Sequence, residues 1–253
     1  MTLTPSEILN HLTGLTPISI IRCGDGESIV LRSTESLQAQ RLCLDAVMKR
    51  QMGYEPIVTQ LTEIRNNLIE AYSKADIIGV PMQKNLDDLS KHWREVEETL
   101  NTYIPQRTVL TCSTDIGYDM LSADMFTQAF IGLDVLNYIG CRQLEEPMRK
   151  AWTIKQVNGY HIAPEAKFTF GYDGDIHYPT QFNRCQRWMD VVKAEGRILL
   201  VGAGVIGKIY CNWWRDRGGI AMDVGSLMDE WAGKITRGSD KGLDVENNGG
   251  YKL

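Results

Sequence analysis

The chain has 253 residues, of which 43% are hydrophobic and 23% charged, and its formal net charge is −5. This length allows one large α/β domain, and the composition excludes low-complexity and repeat proteins. No apolar run reaches the ~20 residues that span a bilayer, and residues 1–15 lack signal-peptide features, so we expect a cytoplasmic protein with no membrane span. The six cysteines form no C-x-x-C pair, so we expect reduced thiols and no zinc site.

The first predicted elements are a capped helix and a short strand. Thr4 as N-cap, Pro5 in the first turn and Glu7 three residues after the cap are typical of a helix start. The mostly β-branched residues 18–21 predict an inner strand that is covered on both faces. Residues 28–32 are then predicted to form the second strand of a hairpin.

The turn between these two segments carries a pair of carboxylates. Gly24 and Gly26 permit a tight turn that would hold Asp25 and Glu27. Residues two apart in an extended turn project to the same side, so both carboxylates can converge on one hard cation, Mg²⁺ or Mn²⁺. The alternative is a hairpin turn in which both face water and Arg22 pairs with one of them, because D-G is an ordinary hairpin signal.

Apolar periodicity predicts the next three helices, over residues 37–52, 61–72 and 86–103. Residues 77–80 are predicted to form a strand that Pro81 ends. His92 lies on the charged side of the third helix, and we expect it to be solvated. Further strands are predicted over residues 108–112 and 133–139. The polar residues 113–115 either cap the following helix or line a cleft, and capping is favoured.

Residues 151–179 are irregular and rich in aromatic side chains. Asp173 and Asp175 form a D-x-D pattern near His177. This segment is either an ordinary D-G turn or part of an acceptor site. From residue 149 to residue 217 there are eleven Lys or Arg against six Asp or Glu. This excess, interleaved with aromatic residues, is also what a nucleic-acid track would need, although solvated helix faces give the same count.

The clearest strand covers residues 197–201, after a helix predicted over residues 181–194. It leads through Gly202, Gly204 and Gly207 to Lys208 and a helix, and residues 220–224 form the next strand. A G-x-G-x-x-G turn at a helix N-terminus favours phosphate binding by backbone N–H groups. Alone it would indicate a NAD-binding oxidoreductase or a SAM-dependent methyltransferase, but only 46 residues follow Gly207, too few for the βα units that such folds need.

Both ends of the chain resemble the GT-D-fold glycosyltransferases. The string I-I-R-C-G-D-G-E is similar to the N-terminal signature of that family, and G-A-G-V-I-G-K followed by D-V-G is similar to its C-terminal motifs. The resemblance implies that Asp25 and Glu27 help to bind a divalent metal and, through it, the diphosphate of a nucleotide sugar. The chain departs from the family pattern at Cys23, where an aromatic residue is usual, and at Ser226, where some members have His.

These observations predict one glycosyltransferase domain over residues 1–253, with an α/β, Rossmann-like sheet of the GT-D type, helices on both faces, inserted helices, and a tail over about residues 233–253 that is partly disordered or closes over ligand. The expected cofactors are Mn²⁺ or Mg²⁺ and a nucleotide-sugar donor, UDP-linked. The acceptor is a hydroxyl on a glycan or glycoprotein; a hydroxymethylated pyrimidine in phage DNA is the alternative. A nucleotide-binding module without enzymatic activity is a further alternative, and the oligomeric state is left open. The predicted catalytic residues are Asp25, Glu27, Asp223, Ser226 and Asp229, and the predicted donor-binding residues are Arg22, Gly24, Gly26, Gly202, Gly204, Gly207 and Lys208.

Overall fold

The computed structural model describes residues 1–53, 55–82, 91–108, 110–165, 174–235 and 247–253. Its main strands are β1 Ile18–Arg22, β2 Ile77–Val80, β3 Thr111–Ser113, β4 Val135–Gly140, β5 Gln156–His161, β6 Ile198–Gly202 and β7 Ile220–Asp223. They form one parallel sheet in the spatial order β3-β2-β1-β7-β6-β4-β5. The last of these strands therefore lies beside the first, at the centre of the sheet.

The described helices, in chain order, are α1 Pro5–Thr13, α2 Asp25–Leu31, α3 Leu37–Leu42 (extended by a π-helical stretch Cys43–Lys49 and by Arg50–Met52), α4 Val58–Lys74, α5 Lys91–Tyr103, α6 Ile116–Ser122, α7 Met125–Phe130, α8 Glu145–Ala151, α9 Phe182–Val191 (preceded by a π-helical stretch His177–Gln181), α10 Gly207–Arg215 (preceded by a 3-10 turn Gly204–Ile206) and α11 Leu227–Trp231. Within the described ranges, every helix is too short or too polar to cross a bilayer.

These helices cover both faces of the sheet. Helices α2 to α5, α9 and α10 share one hydrophobic core, and α1, α6 to α8 and α11 share the other. Strand side chains alternate between the two cores: in β6, Leu199 and Val201 face the first, and Ile198 and Leu200 face the second. The predicted α/β fold with helices on both faces, and with helices inserted between β1 and β2, is confirmed.

A cluster of aromatic rings fixes the position of α11 on the sheet. Trp231 is fully buried, and its ring centroid lies 5.2 Å from that of Phe126 and 5.5 Å from that of Trp152, both at steep interplanar angles. Truncating a buried Trp to Ala costs about 3–5 kcal/mol. This anchoring bears on the candidate site, because α11 also carries the predicted site residue Asp229.

Three sequence predictions about the fold are wrong. Residues 28–32 do not form a hairpin strand: the chain turns from β1 directly into α2. Residues 151–179 are not irregular throughout, since they contain β5, an edge strand that is mostly half-buried. Capping by residues 113–115 is also wrong, because Asp115 stands at the N-cap position of α6 without a side-chain capping hydrogen bond.

Parts of two further predictions lie outside the described residues. The predicted helix over residues 86–103 is described from Lys91, where α5 begins, and the side chain of His92 is not described. In the C-terminal tail, β8 Ala232–Ile235 pairs with β9 Asn247–Lys252 in antiparallel fashion. Residues 236–246, between these two strands, are outside the described ranges.

Candidate active site

The carboxyl ends of the central strands border a cleft of about 430 Å³. Parallel sheets of this kind gather ligands at that edge, where the connections leave the strands in opposite directions. Two predicted residues, Gly207 and the fully buried Asp223, lie behind the lining. The predicted residues that line the cleft are Arg22, Gly24, Asp25, Gly26, Glu27, Gly202, Gly204, Lys208, Ser226 and Asp229.

The junction between β1 and α2 places both carboxylates of the D-x-E pattern. Gly24 is the N-cap of α2, and Glu27 Oε2 accepts the Gly24 backbone N–H at 2.8 Å. Asp25 is exposed in the first turn, and its Oδ1 accepts the Gly26 N–H at 2.9 Å. Helix residues two apart project about 200° apart. The prediction that an extended turn points Asp25 and Glu27 to the same side is therefore wrong. Glu27 returns towards Gly24 because of its capping bond.

The ammonium group of Lys208 is enclosed by acceptors of the protein. Its Nζ lies 2.6 Å from Glu27 Oε1 and 3.1 Å from Asp223 Oδ2, and it donates to the Gly204 carbonyl oxygen at 3.0 Å. The side chain is 5% exposed. Lys208 thus joins a carboxylate near the start of the chain to one near its end.

Arg22 completes this arrangement from β1. Its Nε donates to Asp223 Oδ2 at 3.3 Å, and its Nη1 donates to the Thr114 carbonyl oxygen at 3.1 Å. The other carboxylate oxygen of Asp223, Oδ1, accepts the Gly225 N–H at 3.1 Å. Since Asp223 has no exposed surface, contact with a substrate would require it to move.

Arg22, Glu27, Lys208 and Asp223 together form what we call the buried charge network. Burial would raise the pKa of Asp223, but Lys208 and Arg22 hold that pKa below its ordinary value. Burial likewise opposes the charged forms of Lys208 and Arg22, yet Asp223 and Glu27 raise the pKa of both. The network therefore consists of two cations and two carboxylates. Arg22, Glu27 and Lys208 lie in the cleft lining, and Asp223 lies behind it.

The glycine turn after β6 has the predicted strand–turn–helix form, and its glycines serve different purposes. A Cβ on Gly202 would lie 2.8 Å from the Gly225 carbonyl oxygen, and a Cβ on Gly207 would lie 3.0 Å from Val201 Cγ1. These two glycines permit close packing. Gly204 is exposed at the cleft with φ of 56°, a left-handed conformation that favours glycine.

Ser226 and Asp229 reach the cleft from the segment after β7. Ser226 Oγ lies 3.0 Å from Tyr118 OH, and Asp229 Oδ1 accepts Arg142 Nε–H at 2.7 Å. Neither Tyr118 nor Arg142 was predicted from the sequence. Arg142 follows the end of β4 by two residues, so its strand-end position was a usable signal, whereas nothing in the local pattern distinguishes Tyr118.

Several further polar side chains bear on the predicted alternatives. Thr114 and Asp115 line the cleft, which was the less favoured alternative for that segment. His177 also lines the cleft; its Nε2 lies 2.9 Å from Tyr210 OH, and burial lowers its pKa to about 4. In the D-x-D pattern, Asp173 lies outside the described residues. Asp175 forms a surface ion pair with Arg184 and is not part of the cleft lining.

Acidic side chains predominate in the described lining of the cleft. Five carboxylates face two cations, which are Arg22 and Lys208; the carboxylates are Asp25, Glu27, Asp115, Glu165 and Asp229. In the described part of the chain, no three His, Cys, Asp or Glu side chains are grouped to enclose a metal ion. Mg²⁺ and Mn²⁺ in phosphate-transfer sites commonly need one or two carboxylates, with water and phosphate completing the shell. Asp25 and Glu27 have the donor chemistry for that mode of binding, with one Asp25 oxygen accepting from Gly26 and both Glu27 oxygens shared with Gly24 and Lys208.

Comparisons with known proteins agree with the fold and the motifs. A family model described as GT-D-like, a GT-D fold-like domain, matches residues 4–231. No curated protein matches the chain in sequence. Three solved structures match, among them one described as a new glycosyltransferase (DUF1792) from Streptococcus sanguinis, with 14% identity over 100% of this chain and 94% of that chain and a TM-score of 0.63.

A second solved structure is described as the highly conserved domain of unknown function 1792 with a distinct glycosyltransferase fold. It is 15% identical over 96% of this chain and 87% of that chain, with a TM-score of 0.60. At these identities the structural likeness shows a shared fold. The match of the family model confirms the family to which the two sequence motifs pointed.

Proposed function

The chain belongs to the GT-D-like family, and we propose that it is a glycosyltransferase that moves a sugar from a UDP-sugar to an acceptor hydroxyl. The observation that carries this proposal is the cleft at the carboxyl ends of β1, β6 and β7. There the exposed carboxylate of Asp25 and the fixed carboxylate of Glu27 share one lining with the glycine turn.

The charge of the cleft supports dependence on a divalent cation. Glu27 and Asp229 are paired with Lys208 and Arg142, but the lining holds more carboxylates than cations, so a free diphosphate would gain little neutralisation there. Asp25 and Glu27 would hold Mn²⁺ or Mg²⁺, which supplies positive charge for the leaving diphosphate when bound. An acidic cleft thereby favours the cation–diphosphate complex over the free anion.

The remaining lining residues have separable roles in the proposed reaction. Arg22 and the backbone N–H groups after Gly202 would orient the diphosphate. The candidates for the general base are Asp223, Ser226 and Asp229. Of these, Asp229 is the one with a carboxylate in the cleft lining, so it would accept the proton of the acceptor hydroxyl. The new bond joins the acceptor oxygen to the anomeric carbon, and the bond from that carbon to the diphosphate breaks with its electron pair on the leaving group.

The test is donor binding and turnover with conservative variants of the D-x-E pair. Asp25→Asn is expected to keep the stability of the parent chain, and Glu27→Gln to keep the fold at lower stability because Lys208 loses a buried partner. Both should lower Mn²⁺-dependent turnover of UDP-sugar about tenfold or more, because a charge-assisted contact is worth about 1.5–3 kcal/mol. Asp45→Asn, which alters an exposed carboxylate on α3, is the matched control. Turnover at the parent rate in both D-x-E variants would remove the metal assignment.

The dehydrogenase and methyltransferase alternatives depend on an acidic residue about twenty positions after the glycine turn. Here that residue is Asp223, whose two oxygens accept from Arg22, Lys208 and Gly225 and whose side chain is fully buried. It is poorly placed to bind a ribose hydroxyl. Titration with UDP-sugar, S-adenosylmethionine and NAD, with and without Mn²⁺, separates these activities and the non-enzymatic nucleotide-binding module, which would bind without turnover.

For the acceptor we propose a hydroxyl of a glycan or glycoprotein in preference to DNA. The excess of basic residues over 149–217 is largely matched in space by carboxylates, several of them from outside that segment. The ion pairs are Arg149 and Lys150 with Glu146, Lys155 with Asp134, Arg184 with Asp175, Arg215 with Asp76, and Arg217 with Asp190. Such paired side chains release few counterions on meeting phosphates.

The corresponding measurement is binding to duplex DNA between low and moderate salt. We expect no affinity that falls steeply with salt. If such affinity appears, and Arg184→Ala and Arg187→Ala flatten its salt dependence, the acceptor is DNA and the glycan assignment is wrong.

A further inference from the structure

Lys208 is predicted from the sequence to contact the diphosphate, but its surroundings suggest another role. We propose that Lys208 is a positioning residue that holds Glu27 in place for the cleft and does not itself bind the donor phosphates. This inference rests on the proposed function, because it concerns how the donor site is assembled.

All three N–H donors of the Lys208 ammonium group have partners in the protein. A lysine ammonium has three N–H groups and no acceptor. Three protein acceptors surround Nζ: Glu27 Oε1 at 2.6 Å, Asp223 Oδ2 at 3.1 Å and the Gly204 carbonyl oxygen at 3.0 Å. Each N–H therefore has a partner within the protein, and a phosphate oxygen could gain one only by displacing a partner.

Displacing one of these partners of Lys208 would cost free energy. The side chain of Asp223 is fully buried and that of Glu27 is 8% exposed, so breaking either contact leaves a carboxylate with little access to water. Arg22 differs, because hydrogen bonds to described residues use its Nε and Nη1 groups, its guanidinium has five N–H donors, and its side chain is 17% exposed at the cleft. Arg22 is thus the better placed cation for an anionic ligand.

Lys208 also connects three segments of the cleft wall. Through its three contacts it ties together the start of α2, the turn after β6 and the end of β7. The Gly24 N–H holds Glu27 Oε2 while Lys208 holds Oε1. Two fixed oxygens define the orientation of the carboxylate, as a site that shares a cation with its substrate requires.

A double-mutant cycle distinguishes positioning from direct contact. The variants are Lys208→Met, Glu27→Gln and their combination, and the readout is UDP affinity at saturating Mn²⁺, by calorimetry. If Lys208 acts through Glu27, Lys208→Met lowers affinity about fivefold or more in the parent chain but less than about twofold in the Glu27→Gln background. A direct phosphate contact would cost about tenfold or more in both backgrounds and overturn the proposal. No loss in either background would also overturn it.

The combined variant guards against misfolding of Lys208→Met, because it leaves one cation, Arg22, facing one carboxylate, Asp223. Without nucleotide or metal, we expect it to unfold at a higher temperature than Lys208→Met; an equal or lower unfolding temperature would overturn the ion-pair role. The comparison of unfolding temperatures still tests the ion-pair role if the parent chain binds no UDP. Absence of UDP binding would refute the proposed function and not the role of Lys208. Lys49→Met with Asp45→Asn, an exposed ion pair on α3, is the control and should leave UDP affinity unchanged.

Discussion

The substitution Asp223→Asn tests whether the buried charge network stabilises the fold. It keeps the shape of the side chain but leaves Arg22 and Lys208 facing Glu27 alone. The contacts to Arg22 and Lys208, at 3.3 and 3.1 Å, each represent about 5 kcal/mol of attraction at an effective dielectric constant near 20. After the cost of burying the ions, breaking such a network by removing one partner costs about 3–5 kcal/mol. That is a large part of the ~5–15 kcal/mol by which domains are stable.

The assay is urea unfolding followed by circular dichroism, with Asp190→Asn as a control because Asp190 forms an exposed ion pair with Arg217. At neutral pH the control should lie within about 0.5 kcal/mol of the parent chain. The pKa of Asp223 is lowered in the folded state, so its contribution is complete above the unfolded value of about 3.9 and is lost as pH falls through the folded value. A free energy of unfolding for Asp223→Asn within about 1 kcal/mol of the parent at pH 7 would refute this account of the network.

Two other predictions concern the cleft wall. Gly225→Ala should destabilise the chain by about 2–4 kcal/mol, against about 1 kcal/mol for the control Gly132→Ala. Both glycines have positive φ, but the new Cβ at 225 would collide with Arg22 Nη2, whereas nothing lies within 4 Å at 132. Similar losses of unfolding free energy in urea would contradict this reasoning. His177 has a pKa lowered to about 4 by burial, so its protonation favours the unfolded chain as pH falls from about 6.5 towards 4. Stability should therefore drop by about 2 kcal/mol between pH 7 and pH 5, and less in His177→Asn; equal pH dependence in both chains would count against the buried neutral imidazole.

The central strands were predictable because their residues are buried on both faces. Residues 198–201 and 220–222 are continuous apolar runs, and the structure places β6 and β7 within one residue of the predicted bounds 197–201 and 220–224. The edge strand β5 was missed because its half-exposed residues are mostly polar, and its ladder partners lie in β4, about twenty positions away. Its hydrogen bonds, and not its composition, make it a strand.

The junction after β1 was misread although a local signal for the correct structure was present. The D-G pair is typical of hairpins, but Glu27 stands three residues after Gly24 and precedes an apolar run, which is the spacing of a capping box. Weighing the acidic residue at that position would have favoured a helix. The pairing of Glu27 with Lys208 could not be read in the same way, since no local pattern relates residues so distant in the chain.

The topology of the sheet explains why the site depends on both ends of the sequence. Arg22 and Asp223, which are 201 positions apart, meet because β7 inserts beside β1 after the chain has built β4, β5 and β6 on the far side. Until α10 and β7 are in place, Glu27 lacks Lys208 and Arg22 lacks Asp223, the partners that offset their burial. The arrangement that stabilises the centre of the sheet is thus the same one that orients Glu27 at the cleft. Formation of the proposed donor site is therefore coupled to closure of the whole sheet.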